Sequence, residues 1–278
     1  GALVGALYYL GVINLVVKII GGAIQKVLGT SAVESLVAVA NMFLGQTESP
    51  ILVSKYLHLM TTSELMLVLI SGMGSMSATV LMGYVGMGIP MEYLLIAGAL
   101  VPLSSIMVSK LLIPETQQEE VVENVVMDRK GAHTNIMSAI SEGATNGMQM
   151  AFGIGAALIA ITGLVALVNG ALGVIGLSLQ QILSYVFAPL GFLMGLDPSN
   201  VLKAGELLGT KIVLNEFIAF GDLGTIIKTL DPRSALVMSI SLAGFANISS
   251  IGICISGISV FCPERRTEIS EIAFKGMI

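Results

Sequence analysis

"SAVESLVAVANMFLGQTESPILVSKYLHLM" occupies residues 31–60. An apolar helical run at 31–44 meets a polar turn, Gly45-Gln46-Thr47-Glu48-Ser49, and a second apolar run follows at 50–60. A helix rises about 1.5 Å per residue, so a piece the length of 31–44 reaches about 21 Å, short of a hydrocarbon core of about 30 Å. Pro50 suits the first turn of the second piece, where its missing N–H is no loss. Two half-length helices around a polar tip form a re-entrant hairpin, which enters a membrane and leaves on the same side.

The rest of the chain fits that setting. It is 55% hydrophobic and 11% charged, with mean hydropathy +0.91, whereas soluble domains carry about 25% charged residues. The 32 glycines let membrane helices approach closely. A net charge of −5 argues against nucleic acid as a partner. Cys254 and Cys262 have no metal-ligand spacing and define no disulfide framework. The opening "GALVGALYYLGVINLVV" lacks the basic region of a signal peptide, and the chain stops at "EIAFKGMI" as a new apolar run begins. Both ends read as cuts in a longer membrane protein.

The pattern of 31–60 returns. In the first repeat, 1–112, an apolar run to Val17 and an amphipathic interfacial stretch from Lys18 to Gly29 precede the hairpin 31–60. A span at 63–87 is broken by "SGMGSMS" at 71–77, and an ordinary span follows at 91–112. Residues 113–135 are the long polar loop. The second repeat, 136–278, gives an interfacial helix to 148, a span at 149–176 and a surface-lying segment at 178–196. It continues with a hairpin at 200–230 around "NEF" (215–217), a span at 233–260 broken by "FANISS" (245–250), and the start of a last span. Tip and break lie at 46 and 75 in the first half and at 216 and 247 in the second, a near-equal spacing. Matching interrupted segments in two halves mark a transporter site near the bilayer midplane. The fold expected is an all-α membrane protein with inverted repeats, two re-entrant hairpins and two broken transmembrane helices.

A cytoplasmic 113–135 loop puts Lys18, Lys26, Lys55, Lys110, Arg129, Lys130, Arg265, Arg266 and Lys275 inside, against Lys203, Lys211, Lys228 and Arg233 outside. That bias follows the positive-inside rule and sets the hairpins on opposite sides.

Glu48 and Glu216 are the costly residues, because a carboxylate at membrane depth persists only beside a polar cavity or partner. A lone Ser or Asn serves as glue between membrane helices, but Gln46-Thr47-Glu48 together exceed what packing needs. The side chains of Met73 and Met76 serve packing. Neither tip nor break carries a Lys or Arg in sequence, so an anionic substrate is disfavoured. Carboxylates, amides and hydroxyls suit a neutral, hydroxyl-rich, flat molecule. Phe217 and Phe245 offer apolar faces to a ring. His58 and His133 are isolated, and no nucleophile-and-base constellation is present, so the chain is not expected to be an enzyme.

"GQTESP", "NEFIAF" and "GFANISSIG", in this order and setting, resemble the concentrative nucleoside transporter family. The resemblance covers nearly the whole chain. It implies a homotrimer in the bacterial plasma membrane that imports nucleosides such as uridine, cytidine or adenosine on a sodium or proton gradient by alternating access. It assigns the base to Gln46, Thr47 and Glu48, and the ribose to Glu216, Asn247 and Ser250. Val80 and Phe245 match positions that line the pocket. The implied sodium ligands are Asn41 and Ser75 through side chains, and Leu44 and Met76 through carbonyls. Proton-coupled relatives tend to lack the amide at the position of Asn41, which favours sodium. The competing classes are a membrane nucleoside sensor, which needs no ion site, and a membrane enzyme using Glu48 and Glu216 as an acid/base pair.

Overall fold

The computed structural model describes residues 2–46, 49–116 and 135–277. Its helices are α1 (Ala2–Tyr9), α2 (Val12–Leu28), α3 (Ala32–Ala40), α4 (Ser49–Leu52), α5 (Thr62–Gly74), α6 (Ala78–Gly86), α7 (Met91–Leu112) and α8 (Ile136–Gly173). There follow α9 (Leu179–Leu193), α10 (Pro198–Val213), α11 (Glu216–Ile226), α12 (Pro232–Leu242), α13 (Ile248–Ser259) and α14 (Arg266–Met277). No strand occurs among the described residues.

The helix starts that frame each hairpin and broken span are written in the sequence. Ser31 and Thr61 each accept from the backbone N–H three residues on, and Glu34 and Glu64 reach back to the cap backbone, so α3 and α5 both open with capping boxes. In the second half the same two positions carry Asp-Pro. Asp197 caps α10 and Asp231 caps α12, each followed by proline in the first turn. Hydrogen bonds from Ser199 hold the Asp197 carboxyl below its usual range, and those from Ser234 do the same for Asp231.

The chain divides into two compact units, Gly1–Val80 with Gly98–Gly147 and Ser249–Ile278, and Leu81–Ala97 with Met148–Ile248. They are not the two sequence repeats, since each takes segments from both halves of the chain. In the first unit α5 is buried along almost its whole length, from Ser63 to Met73. Ala38 of α3, Leu67 of α5 and Ile106 of α7 form a core cluster, with Ile24 of α2 packed against it. Gly276 of α14 sits against Met66, Ile70 and Met73. A polar cluster closes one end: Lys110 pairs with the buried Glu34 and donates to Ser63 Oγ at 2.9 Å. Thr61 and Thr62 donate to Glu115 and Glu268, both at 2.6 Å.

In the second unit α9 and α10 are in close contact. A Cβ on Gly205 would lie 2.3 Å from the Ser184 carbonyl and 2.6 Å from the Ala188 nitrogen. The α10–α11 hairpin is tied to α12 by Asn200, which donates to Asp231 (3.3 Å) and Ser234 (3.1 Å).

Four sequence expectations change. The amphipathic helix starts at Val12, after Gly11 in the left-handed region (φ 75°), and not at Lys18. Residues 50–60 are not one helical arm but the short α4 and a 3-10 turn at Ser54–Tyr56. Arg265 donates to the carbonyls of Leu57 and Met60, so this stretch does not need helix to satisfy its backbone. Residues 136–173 form one 38-residue helix, not an interfacial helix followed by a separate span. Lys211 is not an aqueous cation. It is buried in the last turn of α10 and donates to the carbonyls of Ser241 (2.9 Å) and Ala243 (3.2 Å), so the second break does hold a basic group.

Among the described residues Met91–Leu112 is the helix long and apolar enough to cross a membrane alone. Large apolar side chains stand exposed on α8 and α9, among them Phe152, Ile159, Leu167, Phe192 and Leu193. Apolar surface on that scale is covered by lipid or by another chain.

Candidate functional site

In the first unit, α3 ends at Asn41, whose amide is completely buried. Its Nδ2 donates to Ser71 Oγ of α5 at 2.9 Å, while its Oδ1 has no hydrogen-bond partner. Leu44 is buried in the turn that follows. The span after the hairpin breaks at Ser75, which is extended (φ −93°, ψ 161°) and buried. Ser75 Oγ donates to the Gly72 carbonyl at 3.0 Å, which leaves its oxygen lone pairs free to accept or coordinate. Met76 and Ser77 complete the break, both buried. The Ala78 N–H donates to the Phe43 carbonyl at 3.4 Å, tying tip to break. Gln46 packs on Gly72, where a Cβ would lie 3.3 Å from Gln46 Cβ, and its Oε1 accepts from Cys254 Sγ of α13 at 3.2 Å. Ser250 is buried one turn earlier on α13, and Val80 is buried in α6. Thr47 and Glu48 lie outside the described residues.

This half therefore presents a buried carbonyl oxygen without a donor, a serine oxygen and the backbone of a helix end. An unpaired polar atom is costly to bury, and an oxygen set of this kind suits a small hard cation. The residues present fit a sodium ion.

In the second unit, Glu216 opens α11 after Asn215, whose Oδ1 accepts from the Ile218 N–H at 2.9 Å. The helix N-terminus favours a carboxylate there. Glu216 is buried, and Asn247, in the break between α12 and α13, donates from Nδ2 to its carboxylate at 3.1 Å. Gly244 in that break has φ 100°, a conformation that favours glycine. Phe245 is half-buried beside it. Tyr84, fully buried, stacks on Phe220 (4.4 Å between centroids) and tilts against Phe217 (5.7 Å). Its hydroxyl faces the Glu216 carboxylate. The structure thus groups Asn41, Leu44 and Gln46 with Ser75 and Met76 in one unit, and pairs Glu216 with Asn247 in the other.

Comparison with known proteins matches residues 93–278 to the family model "Na+ dependent nucleoside transporter C-terminus" and residues 1–91 to a nucleoside-recognition model. The chain belongs to the concentrative nucleoside transporter family. An uncharacterized transporter, YutK of Bacillus subtilis, is 39% identical over 100% of this chain and 70% of its own length. The nucleoside permease NupC of Helicobacter pylori is 36% identical over 100% of this chain and 68% of its own. The structure of the transporter CNTnw in an inward-facing, substrate-bound state matches with a TM-score of 0.91 at 38% identity, covering 99% of this chain and 68% of that one.

Membership makes this a multi-pass membrane protein of a family that moves nucleosides and does not transform them. It also confirms the all-helical fold. Three contact residues of the site escaped the sequence reading. Ser71 stands in sequence only as part of a helix interruption, Cys254 offers no metal-ligand spacing, and Tyr84 does not stand out within its span. A tyrosine four residues after Val80 on one helix face was the available signal for the last.

Proposed function

We propose that this chain forms the substrate- and ion-binding part of a sodium-coupled nucleoside importer of the bacterial plasma membrane, working by alternating access as a homotrimer. The buried Glu216–Asn247 pair at a hairpin tip carries the reading. A carboxylate there accepts hydrogen bonds from ribose hydroxyls with charge assistance, and the Asn247 amide adds a donor and an acceptor. Ser250 supports the ribose. Gln46, with Thr47 and Glu48, reads the base edge, and Val80 and Phe245 give it apolar walls. The orphaned Asn41 Oδ1 supports sodium as the coupling ion, together with Ser75 and the carbonyls of Leu44 and Met76. The two hairpins and broken helices are re-entrant and inverted-repeat elements in this reading. The exposed apolar faces of α8 and α9 support burial in lipid and against neighbouring copies.

Uptake of labelled uridine, cytidine and adenosine into proteoliposomes holding the full-length protein tests this. An inward sodium gradient at constant pH should drive accumulation, and a proton gradient in choline should not. Accumulation driven by the proton gradient alone would replace sodium with proton coupling. Saturable binding without accumulation under either gradient would make the protein a sensor.

A further inference from the structure

We propose that the Lys211 ammonium is a tethered cation that holds the second tip and break in their substrate-binding geometry, as the coupling ion does in the first half. The inference rests on the sodium-coupled reading above. Lys211 lies in the last turn of α10 and Asn41 caps the end of α3, each a few residues before its tip. The spacing from Asn41 to the break at Ser75 is close to that from Lys211 to Ala243. At the first site the side chain is a neutral amide whose buried oxygen has no donor. At the second the same kind of place, a helix end facing a broken helix, is filled by an ammonium bound to the carbonyls of Ser241 and Ala243.

Carbonyls at the end of a helix lack partners along the chain and attract positive charge. A lysine that merely capped such an end would keep its head in water, as long basic side chains do. Lys211 does not: it is only 8% exposed, and the buried Glu216 carboxylate is within reach of its charge. A buried ammonium persists only when carbonyls and an opposite charge replace its water. It therefore fixes the broken end of α12 against α10, near the Glu216 side chain that accepts from Asn247. One half of the protein carries its cation permanently, and the other takes it from solution. Lys211 is thus a positioning residue, and cation dependence is confined to the first site.

The test uses the full-length transporter in detergent at constant pH and ionic strength, reading uridine affinity by calorimetry and melting temperature. Lys211→Met, of similar length but without charge, should lose at least tenfold in uridine affinity. Lys211→Ala should lose as much and regain most of it in n-propylammonium chloride, with choline as control. Wild type and Asn41→Ala should not respond to propylammonium. Wild-type affinity in Lys211→Met, or a folded Lys211→Ala that propylammonium does not restore, overturns the proposal. If Lys211→Ala folds only when prepared in propylammonium, the proposal stands; equal failure with and without it counts against a cation role. Should wild type bind no nucleoside, the functional reading fails, and a rise in the Lys211→Ala melting temperature with propylammonium still decides the tethered-cation claim.

Discussion

Glu216 and Gln46 show how one partner sets what a buried polar group can offer a ligand. The Glu216 carboxylate is held by the start of α11 and by Asn247. Glu216→Gln keeps the shape but removes the charge, and a hydrogen bond to a charged group contributes about 1.5–3 kcal/mol. Uridine affinity should fall about 10- to 100-fold on calorimetry, with the melting temperature little changed; unaltered binding would remove the ribose assignment. Gln46 is constrained differently. Its Oε1 accepts from the Cys254 thiol, so in the proposed role its Nε2 would be the end that meets a ligand. Cys254→Val removes that donor and frees the amide to turn over. The ratio of uridine to adenosine uptake should shift by a few-fold, about the effect of one neutral hydrogen bond, whereas Cys254→Ser should keep the wild-type ratio. Equal ratios in the two variants would mean that the thiol does not orient the amide.

Helices here are positioned by close approach and by caps. Gly205 lets α10 lie against the backbone of α9, and the atoms that an added methyl would strike are backbone atoms, which cannot swing away. Gly205→Ala should cost about 1–3 kcal/mol by overpacking and lower the melting temperature in detergent by several degrees. Gly22→Ala in α2, with nothing within 4 Å, should leave it unchanged or raise it. The Asp197 and Asp231 caps have depressed carboxyl pKa values. Their contribution is fully present above the unfolded value of about 3.9 and is lost as pH falls through the lower folded value. A melting series should therefore owe nothing to them between pH 6 and 8, and an Asp197→Asn, Asp231→Asn variant should lose less on acidification below about pH 4. These caps also explain why the helix starts were legible. Ser-x-x-Glu, Thr-x-x-Glu and Asp-Pro are local signals, and so are the Gly- and Ser-rich breaks. The shape of 50–60 is not legible in sequence, because Arg265, far along the chain, meets its carbonyls. The burial of Lys211 is not legible either, because sequence states a residue's charge but not its burial. Gln46, Glu216, Asn41 and Asn247 were visible as polar residues in apolar surroundings, whereas Cys254 and Tyr84 were hidden because their types are ordinary in such surroundings.

In the proposed reading, coupling is a property of the complete transporter, and the first unit would contain its mechanical link. Asn41 ends the helix that leads to the tip at Gln46, Ser75 and Met76 form the break, and the Ala78–Phe43 hydrogen bond joins the two segments. A sodium ion taking the free Asn41 Oδ1 and the break's oxygens would draw the same elements together without touching a nucleoside. The ion would then have met part of the ordering cost that a nucleoside otherwise meets on binding. Sodium and nucleoside should therefore bind with positive cooperativity, and linkage requires each to raise the other's affinity by the same factor. Couplings of this kind are about 1–3 kcal/mol, or roughly 5- to 150-fold. Asn41→Ala deletes the free oxygen, so it should weaken uridine binding in sodium and change it little in choline. Uridine titrations of both proteins in both salts, at constant pH, measure the whole cycle. If wild type binds uridine equally in sodium and choline, the ion site is not at Asn41 and Ser75, and the buried amide oxygen needs a different partner, such as an ordered water.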